Sequence, residues 1–322
     1  MNTYAPLPVT FEKGDGVWLW DTEGKQYLDA LSGIAVCGLG HVHPAITEAI
    51  CQQAGKLIHT TNIYAIQHQQ VLADKLTKLS GMDSVFFGNS GAEANEAAIK
   101  IARLYGHNKN IDQPTIVVTE GSFHGRTLAT LSATGNRKVQ AGFEPLVSGF
   151  LRVPFNDLDA IATVAKNNQN VVAVLVEPIQ GEGGIQIPDE NYLPGIRQLC
   201  DDNGWLMMLD EIQTGMCRSG KWFAHQHESL SGNAVPDVMT LAKALGNGVP
   251  IGACLARGEA ALQFKPGNHG STYGGNPLVC KTALTVIETL EKENLAQRAA
   301  ELGAHIVNGF KDNLAEVEGV TE

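Results

Sequence analysis

Two ionisable side chains in this sequence stand where burial makes charge costly. The apolar run Trp205-Leu206-Met207-Met208-Leu209 ends in Asp210-Glu211-Ile212-Gln213-Thr214-Gly215, and Lys243 lies among small and apolar residues in Leu241-Ala242-Lys243-Ala244-Leu245-Gly246. A carboxylate at the end of a buried strand needs a cationic mate. A lysine in apolar surroundings loses its proton readily and can attack a carbonyl as an amine. A purely structural Asp210–Lys243 ion pair satisfies both segments equally well. A third segment, Phe87-Gly88-Asn89-Ser90-Gly91-Ala92-Glu93-Ala94-Asn95-Glu96, reads as a strand passing through glycine into a helix. The unpaired N–H groups of a helix start attract anions, yet Ser90 followed by Glu93 is equally a plain capping box. On that segment alone the two readings are even.

Other patterns carry less. Gly215-Met216-Cys217-Arg218-Ser219-Gly220-Lys221-Trp222 imitates a nucleotide-binding loop, but tryptophan stands where a magnesium-binding hydroxyl belongs. His41 with His43, and His225 and His227 beside Glu228, lack a third ligand at a recognised spacing, so no metal is expected. The six cysteines are dispersed without a Cys-x-x-Cys pair and read as reduced thiols, mostly buried.

The elements that must position Asp210 and Lys243 form an α/β rhythm. Strands are expected at Ser84–Phe87, Thr115–Thr119, Val171–Val176, Trp205–Leu209, Val238–Leu241 and Gly252–Ala256, several without polar alternation, as in a parallel sheet buried on both faces. Ala94, Ala98, Ile101, Ala102 and Tyr105 make one apolar stripe of a helix, and further helices are expected at Leu278–Glu291 and Leu295–Leu314. Ligands of such sheets gather at the carboxyl ends of strands. Residues 14–29 read as a small hairpin region. The expected division is an N-terminal segment of a small domain at 1–49, a large domain at 50–265 and the start of a C-terminal small domain at 266–322. With 322 residues, 34 acidic against 23 basic side chains and a net charge of −11, the average surface repels nucleic acid and anionic membrane, so a small-molecule partner is expected. No apolar run approaches the roughly 20 residues of a membrane span, and Met1-Asn2-Thr3-Tyr4 begins no leader pattern, which points to the cytoplasm.

Lysine for an aldehyde, carboxylate for a ring nitrogen and a phosphate cup are together what pyridoxal 5'-phosphate requires. Six segments in order then carry a resemblance: Asn89-Ser90-Gly91-Ala92-Glu93-Ala94, Ser122-Phe123-His124-Gly125-Arg126-Thr127, Val176-Glu177-Pro178-Ile179-Gln180-Gly181-Glu182-Gly183-Gly184, Asp210-Glu211-Ile212-Gln213-Thr214-Gly215, Leu241-Ala242-Lys243 and His269-Gly270-Ser271-Thr272-Tyr273-Gly274-Gly275-Asn276-Pro277. In these the chain resembles the class III, or ω-amino, aminotransferases, and within them those acting on acetylated ornithine.

The resemblance implies a fold-type I architecture, with a mainly parallel seven-stranded sheet in the large domain and a smaller α+β domain. It implies that Lys243 binds pyridoxal 5'-phosphate and moves the proton, that Asp210 meets the pyridine nitrogen, and that Gln213 lies near the ring hydroxyl. Ser90, Gly91 and Ala92 would hold the phosphate, and Phe123 would stack on the ring. Arg126 would grip a substrate carboxylate, and Glu182 would switch the site between donor and acceptor. Ser271 and Thr272 would reach the site of a neighbouring subunit, which implies a homodimer with shared sites. The implied reaction takes the δ-amino group of N2-acetyl-L-ornithine to 2-oxoglutarate, in arginine biosynthesis. Ornithine, N-succinyl-diaminopimelate and 4-aminobutyrate are the alternative donors, and an inactive cofactor-binding dimer module is the non-enzymatic alternative. Ile34 stands where the ornithine enzymes carry a tyrosine, which favours an acylated amine. Chains of this family run roughly 60 to 80 residues further, so the small domain is expected to be incomplete at its C-terminus. An exposed apolar face is expected at Ile306, Phe310 and Leu314.

Overall fold

The computed structural model describes residues 1–232, 234–314, 317 and 319. Three short strands, β1 (Phe11–Asp15), β2 (Trp18–Asp21) and β3 (Gln26–Leu28), form an antiparallel meander where the hairpin region was expected. Seven more build the main sheet: β4 (Ser84–Gly88), β5 (Thr115–Thr119), β6 (Phe150–Val153), β7 (Val171–Val176), β8 (Leu206–Asp210), β9 (Val238–Leu241) and β10 (Gly252–Ala256). Their spatial order is β4-β10-β9-β8-β7-β5-β6. Every pairing is parallel except those of β10, which runs antiparallel to both its neighbours. This is the mainly parallel seven-stranded α/β sheet that was expected.

Three strand expectations need adjustment, the first being β4, which runs one residue past Phe87 to Gly88. The strand placed at Trp205–Leu209 lies one residue further on, so Asp210 is its last paired residue, opposite Thr240 of β9. The edge strand β6 was not anticipated. Its Phe-Leu-Arg-Val carries a charge and pairs on one side only.

Both faces of the sheet are covered. Val117, Val174, Met207 and Leu209 point to one face, under the helices Leu158–Asn167 and Tyr192–Asn203. On the same side Leu241 and Leu255 meet the helices Gln67–Ser80 and Pro277–Lys292. The alternate residues Ile116, Leu175, Met208 and Val238 meet the helix Gly91–Asn108 on the opposite face. That helix packs Ala97, Ala98 and Ala102, all fully buried, against the strands, and such small residues allow a close approach. Ser90 caps it by accepting the Glu93 N–H at 3.2 Å.

The last helix, Leu295–Leu314, has no buried residue, and Ile306 and Phe310 are 51% and 62% exposed. The expected apolar face is exposed at Ile306 and Phe310, while Leu314 is half-buried. Among the described residues no helix is long and apolar enough to cross a membrane.

Candidate active site

Loops at one end of the sheet converge on a cleft of about 400 Å³, a volume ordinary for a small-molecule site. Six neighbouring strands supply them. Asn89 to Ala92 follow β4, Phe123 to Arg126 follow β5, Glu177 and Glu182 follow β7, Asp210, Ile212 and Gln213 close β8, and Ala242 and Lys243 follow β9. Because β10 is reversed, it is the chain entering that strand, Gly248 to Ile251, that completes the wall.

Asp210 is buried and heavily bonded. Its Oδ2 accepts from Asn95 Nδ2 and from His124 Nδ1, each at 2.8 Å, and its Oδ1 accepts from the Ile212 N–H at 3.1 Å. Lys243, half-buried, sits directly after Ala242 with a φ of +44°, in the left-handed region that side-chain-bearing residues rarely adopt. Burial lowers the pKa of its amine, while the negative charges of Asp210, Glu177 and Glu182 oppose that shift. Glu177 accepts from the N–H groups of Phe123 at 2.8 Å and Gly181 at 3.3 Å. Burial pushes its carboxyl up to about 7; His124 opposes that shift and Asp210 adds to it.

At the β4 end the Gly91 and Ala92 N–H groups open the helix, and among the described residues neither has a protein partner. Glu93 instead binds Asn89, at its backbone N–H and its side-chain amide, each at 2.8 Å. The capping and anion-site readings therefore coexist, the Ser90 cap taking the third N–H and leaving the first two open. A Cβ on Gly91 would come within 2.7 Å of Ile212 Cδ1, so a side chain there would displace Ile212 where this loop meets β8's. Open donors, an aromatic wall at Phe123, a carboxylate and an amine fit pyridoxal 5'-phosphate.

Of the residues singled out in the sequence, Ser90, Gly91, Ala92, Phe123, Arg126, Glu182, Asp210, Gln213 and Lys243 all line this cleft. The Arg126 guanidinium lies 5.7 Å from the Phe123 ring centroid and, among the described residues, has no hydrogen-bond partner. Ser271 and Thr272 do not line it. Ser271 Oγ accepts from Asn89 Nδ2 at 3.1 Å, and Thr272 is exposed. Ile34 is 59% exposed, whereas Val36, two residues on, reaches the cleft wall.

The sequence reading left Asn95, His124 and Glu177 without roles. Asn95 had a signal. It precedes Ala98, Ile99 and Ala102 by three, four and seven residues, and so is a polar group on the buried stripe.

The imitation nucleotide loop forms turns and bends, followed only by the three-residue 3-10 turn Ala224–Gln226 and the four-residue helix Glu228–Ser231. His225 is occupied by Glu211, at 2.9 Å, and His41 by Asp29, at 2.7 Å. Among the described residues no group of three metal-binding side chains comes together.

Comparison with known proteins agrees. The model of the aminotransferase class-III family matches residues 1–322. The chain belongs to the class III aminotransferases. The acetylornithine aminotransferase of Nitrosomonas europaea is 64% identical over 303 residues, covering 94% of this chain and 76% of that protein. Acetylornithine aminotransferase 1 of Bordetella parapertussis is 54% identical over 321 residues, covering 100% and 81%. Among solved structures, the ornithine aminotransferase of Toxoplasma gondii superposes with a TM-score of 0.95 at 36% identity, over 100% of this chain and 76% of its own. Class III aminotransferases work with pyridoxal 5'-phosphate, and this one is a fold-type I member of the family.

Proposed function

We propose that this class III aminotransferase moves the δ-amino group of N2-acetyl-L-ornithine to 2-oxoglutarate, a step of arginine biosynthesis. The observation that carries the chemistry is that Lys243 and Asp210 line one cleft together with the open N–H groups of Gly91 and Ala92. Pyridoxal 5'-phosphate supplies there an aldehyde that takes up amines and a ring that withdraws electrons from the bond being broken. Lys243 supplies the attacking Nζ and carries the proton to and from the reacting carbon, which its burial-lowered pKa favours. Asp210 would hold a proton on the ring nitrogen, and Gln213, on the same loop after β8, would meet the ring hydroxyl. Ser90, Gly91 and Ala92 take the phosphate, and the Glu177 bond to the Phe123 N–H holds the stacking ring in place. Arg126, with its donors open, grips a carboxylate in the two-bond geometry of a guanidinium. Glu182, on the loop after β7, adjusts the site between donor and acceptor.

The choice of donor rests on sequence more than shape. Identities of 64% and 54% over nearly the whole chain are to acetylornithine enzymes, while solved ornithine and acetylornithine enzymes alike share 36% identity with it at high TM-scores. The backbone fold is common to both activities, so identity is the better guide to a pocket. The side chain at Ile34 agrees with an acylated donor.

A homodimer with shared sites fits Ser271 and Thr272, which lie outside their own cleft. The Asn62 amide ties the loop before helix Gln67–Ser80 to the carbonyls of Ser271 and Gly274, and Ile58, Ile63, Tyr64 and Tyr273 are exposed on these two loops. Such an apolar patch suits a second copy. A cytoplasmic location is part of the same reading.

Visible absorbance of the purified chain, loaded with pyridoxal 5'-phosphate, tests the proposal. A band bleached by N2-acetylornithine, but not by ornithine or 4-aminobutyrate, is the expected result. Bleaching by another amine alone would overturn the donor, and no band at all would overturn the role of Lys243.

A further inference from the structure

Asn95 is fully buried one turn into the helix Gly91–Asn108, and every polar atom of its side chain is used. Its Nδ2 donates to Asp210 Oδ2 and to the His124 carbonyl, both at 2.8 Å. Its Oδ1 accepts the Thr240 hydroxyl at 2.8 Å. The amide has only one sensible orientation, because turning it over would set its oxygen against two acceptors. Thr240 is 1% exposed, stands opposite Asp210 in the β8–β9 register and precedes by three residues Lys243, which lies just past the end of β9.

The pattern of acceptance on Asp210 is uneven. A carboxylate oxygen takes about two hydrogen bonds. Oδ2 holds two, from Asn95 and His124, and is filled, whereas Oδ1 holds only the Ile212 N–H. We propose that Asn95, anchored by Thr240, is a positioning residue that saturates Oδ2 of Asp210 and so dedicates Oδ1 to the ring nitrogen of the cofactor. Without the amide, Oδ2 keeps only the His124 bond and regains accepting capacity, so each oxygen holds a single bond and the ring nitrogen is no longer directed to Oδ1 alone. The inference rests on the pyridoxal phosphate reading of the cleft and extends it to residues that touch neither cofactor nor substrate.

Asn95→Ala, Thr240→Val, Thr240→Ser and the Asn95→Ala/Thr240→Val double variant test it in cofactor-saturated enzyme. Loss of one charge-assisted hydrogen bond predicts a fall in kcat of about tenfold for Asn95→Ala, with KM for the amino donor within about twofold of wild type. Thr240→Val should show a smaller fall that Thr240→Ser restores, and the double variant should be no slower than Asn95→Ala alone, because Thr240 acts through Asn95. A second readout needs no turnover. In the cofactor-free protein, the Nδ1 proton of His124, observed by 15N-histidine NMR, should be protected in wild type and Thr240→Ser and exchange-broadened in Asn95→Ala. An unchanged kcat in Asn95→Ala, or a double-variant loss equal to the product of the single losses, overturns the proposal. So does a His124 proton indifferent to Asn95. Should Asn95→Ala fail to fold, the Thr240→Val and Thr240→Ser pair decides: equal kcat values overturn the proposal, and restoration by serine supports it. Failure of the cofactor reading looks different, since wild type would then show neither band nor turnover.

Discussion

A carboxyl group that holds its proton near neutrality makes folding depend on pH, and Glu177 is such a group. The folded chain keeps a proton up to about 7 that the unfolded chain releases near 4.5. The folded state therefore binds more protons in that window, and stability falls as pH rises from about 4.5 through about 7. The shift corresponds to about 3 kcal/mol at most. Glu177→Gln, which cannot ionise, should lose this decline: relative to wild type, the melting temperature of the cofactor-free variant should climb between pH 5 and pH 8. Parallel melting curves would show that Glu177 does not titrate in this range. At this scale the sequence was partly legible. Lys243 and Asp210 betrayed themselves as charges in apolar segments, and a glycine before a helix marked the open donors of Gly91 and Ala92. Glu177 and His124 gave no such signal, because their roles depend on contacts with Phe123 and Asp210 from other strands.

Strands announce themselves when their residues are buried and nearly all apolar, which is why β7, and β9 with Thr240 as its one polar residue, coincide with expectation while β6, charged and at the sheet edge, did not. The reversal of β10 had no local signature, since an apolar five-residue run reads the same in either direction. Its consequence is a tight crossing: a Cβ on Gly252 would lie 2.1 Å from the Ser90 carbonyl oxygen, a backbone atom that cannot swing aside. Gly252→Ala should accordingly push β10 from the β4 loop, destabilise the protein by about 1–3 kcal/mol and weaken pyridoxal 5'-phosphate binding in an equilibrium titration. Gly303→Ala is the control. That glycine lies in the helix Leu295–Leu314 with open space around it, and alanine there should be neutral or stabilising by up to about 1 kcal/mol. Equal melting temperatures and cofactor affinities in the two variants would contradict the crossing argument.

The whole molecule is where sharing of sites between copies can be tested. Chains carrying Lys243→Ala and chains carrying Thr272→Ala should each be impaired alone. In a mixed dimer with shared sites, one cleft unites an intact Lys243 with an intact Thr272 of the partner subunit. Unfolding and refolding the two variants together should then restore activity above that of either parent. No recovery, with mixed dimers verified by mass, would make each cleft self-sufficient. The placement of the cleft on six adjacent strands has one more implication. Neighbouring strands are held about 4.8 Å apart by their hydrogen bonds, and β10 alone separates the strand leading to the anion-binding loop from the strand leading to Lys243. The sheet thus acts as a fixed gauge of about 10 Å between these two strands, which no change in the surrounding loops can reset. Arg126, Glu182 and Val36 belong to the loops and stand outside the gauge. A lineage of such chains is free to exchange one amine for another at the rim while the ruler beneath continues to admit the same cofactor.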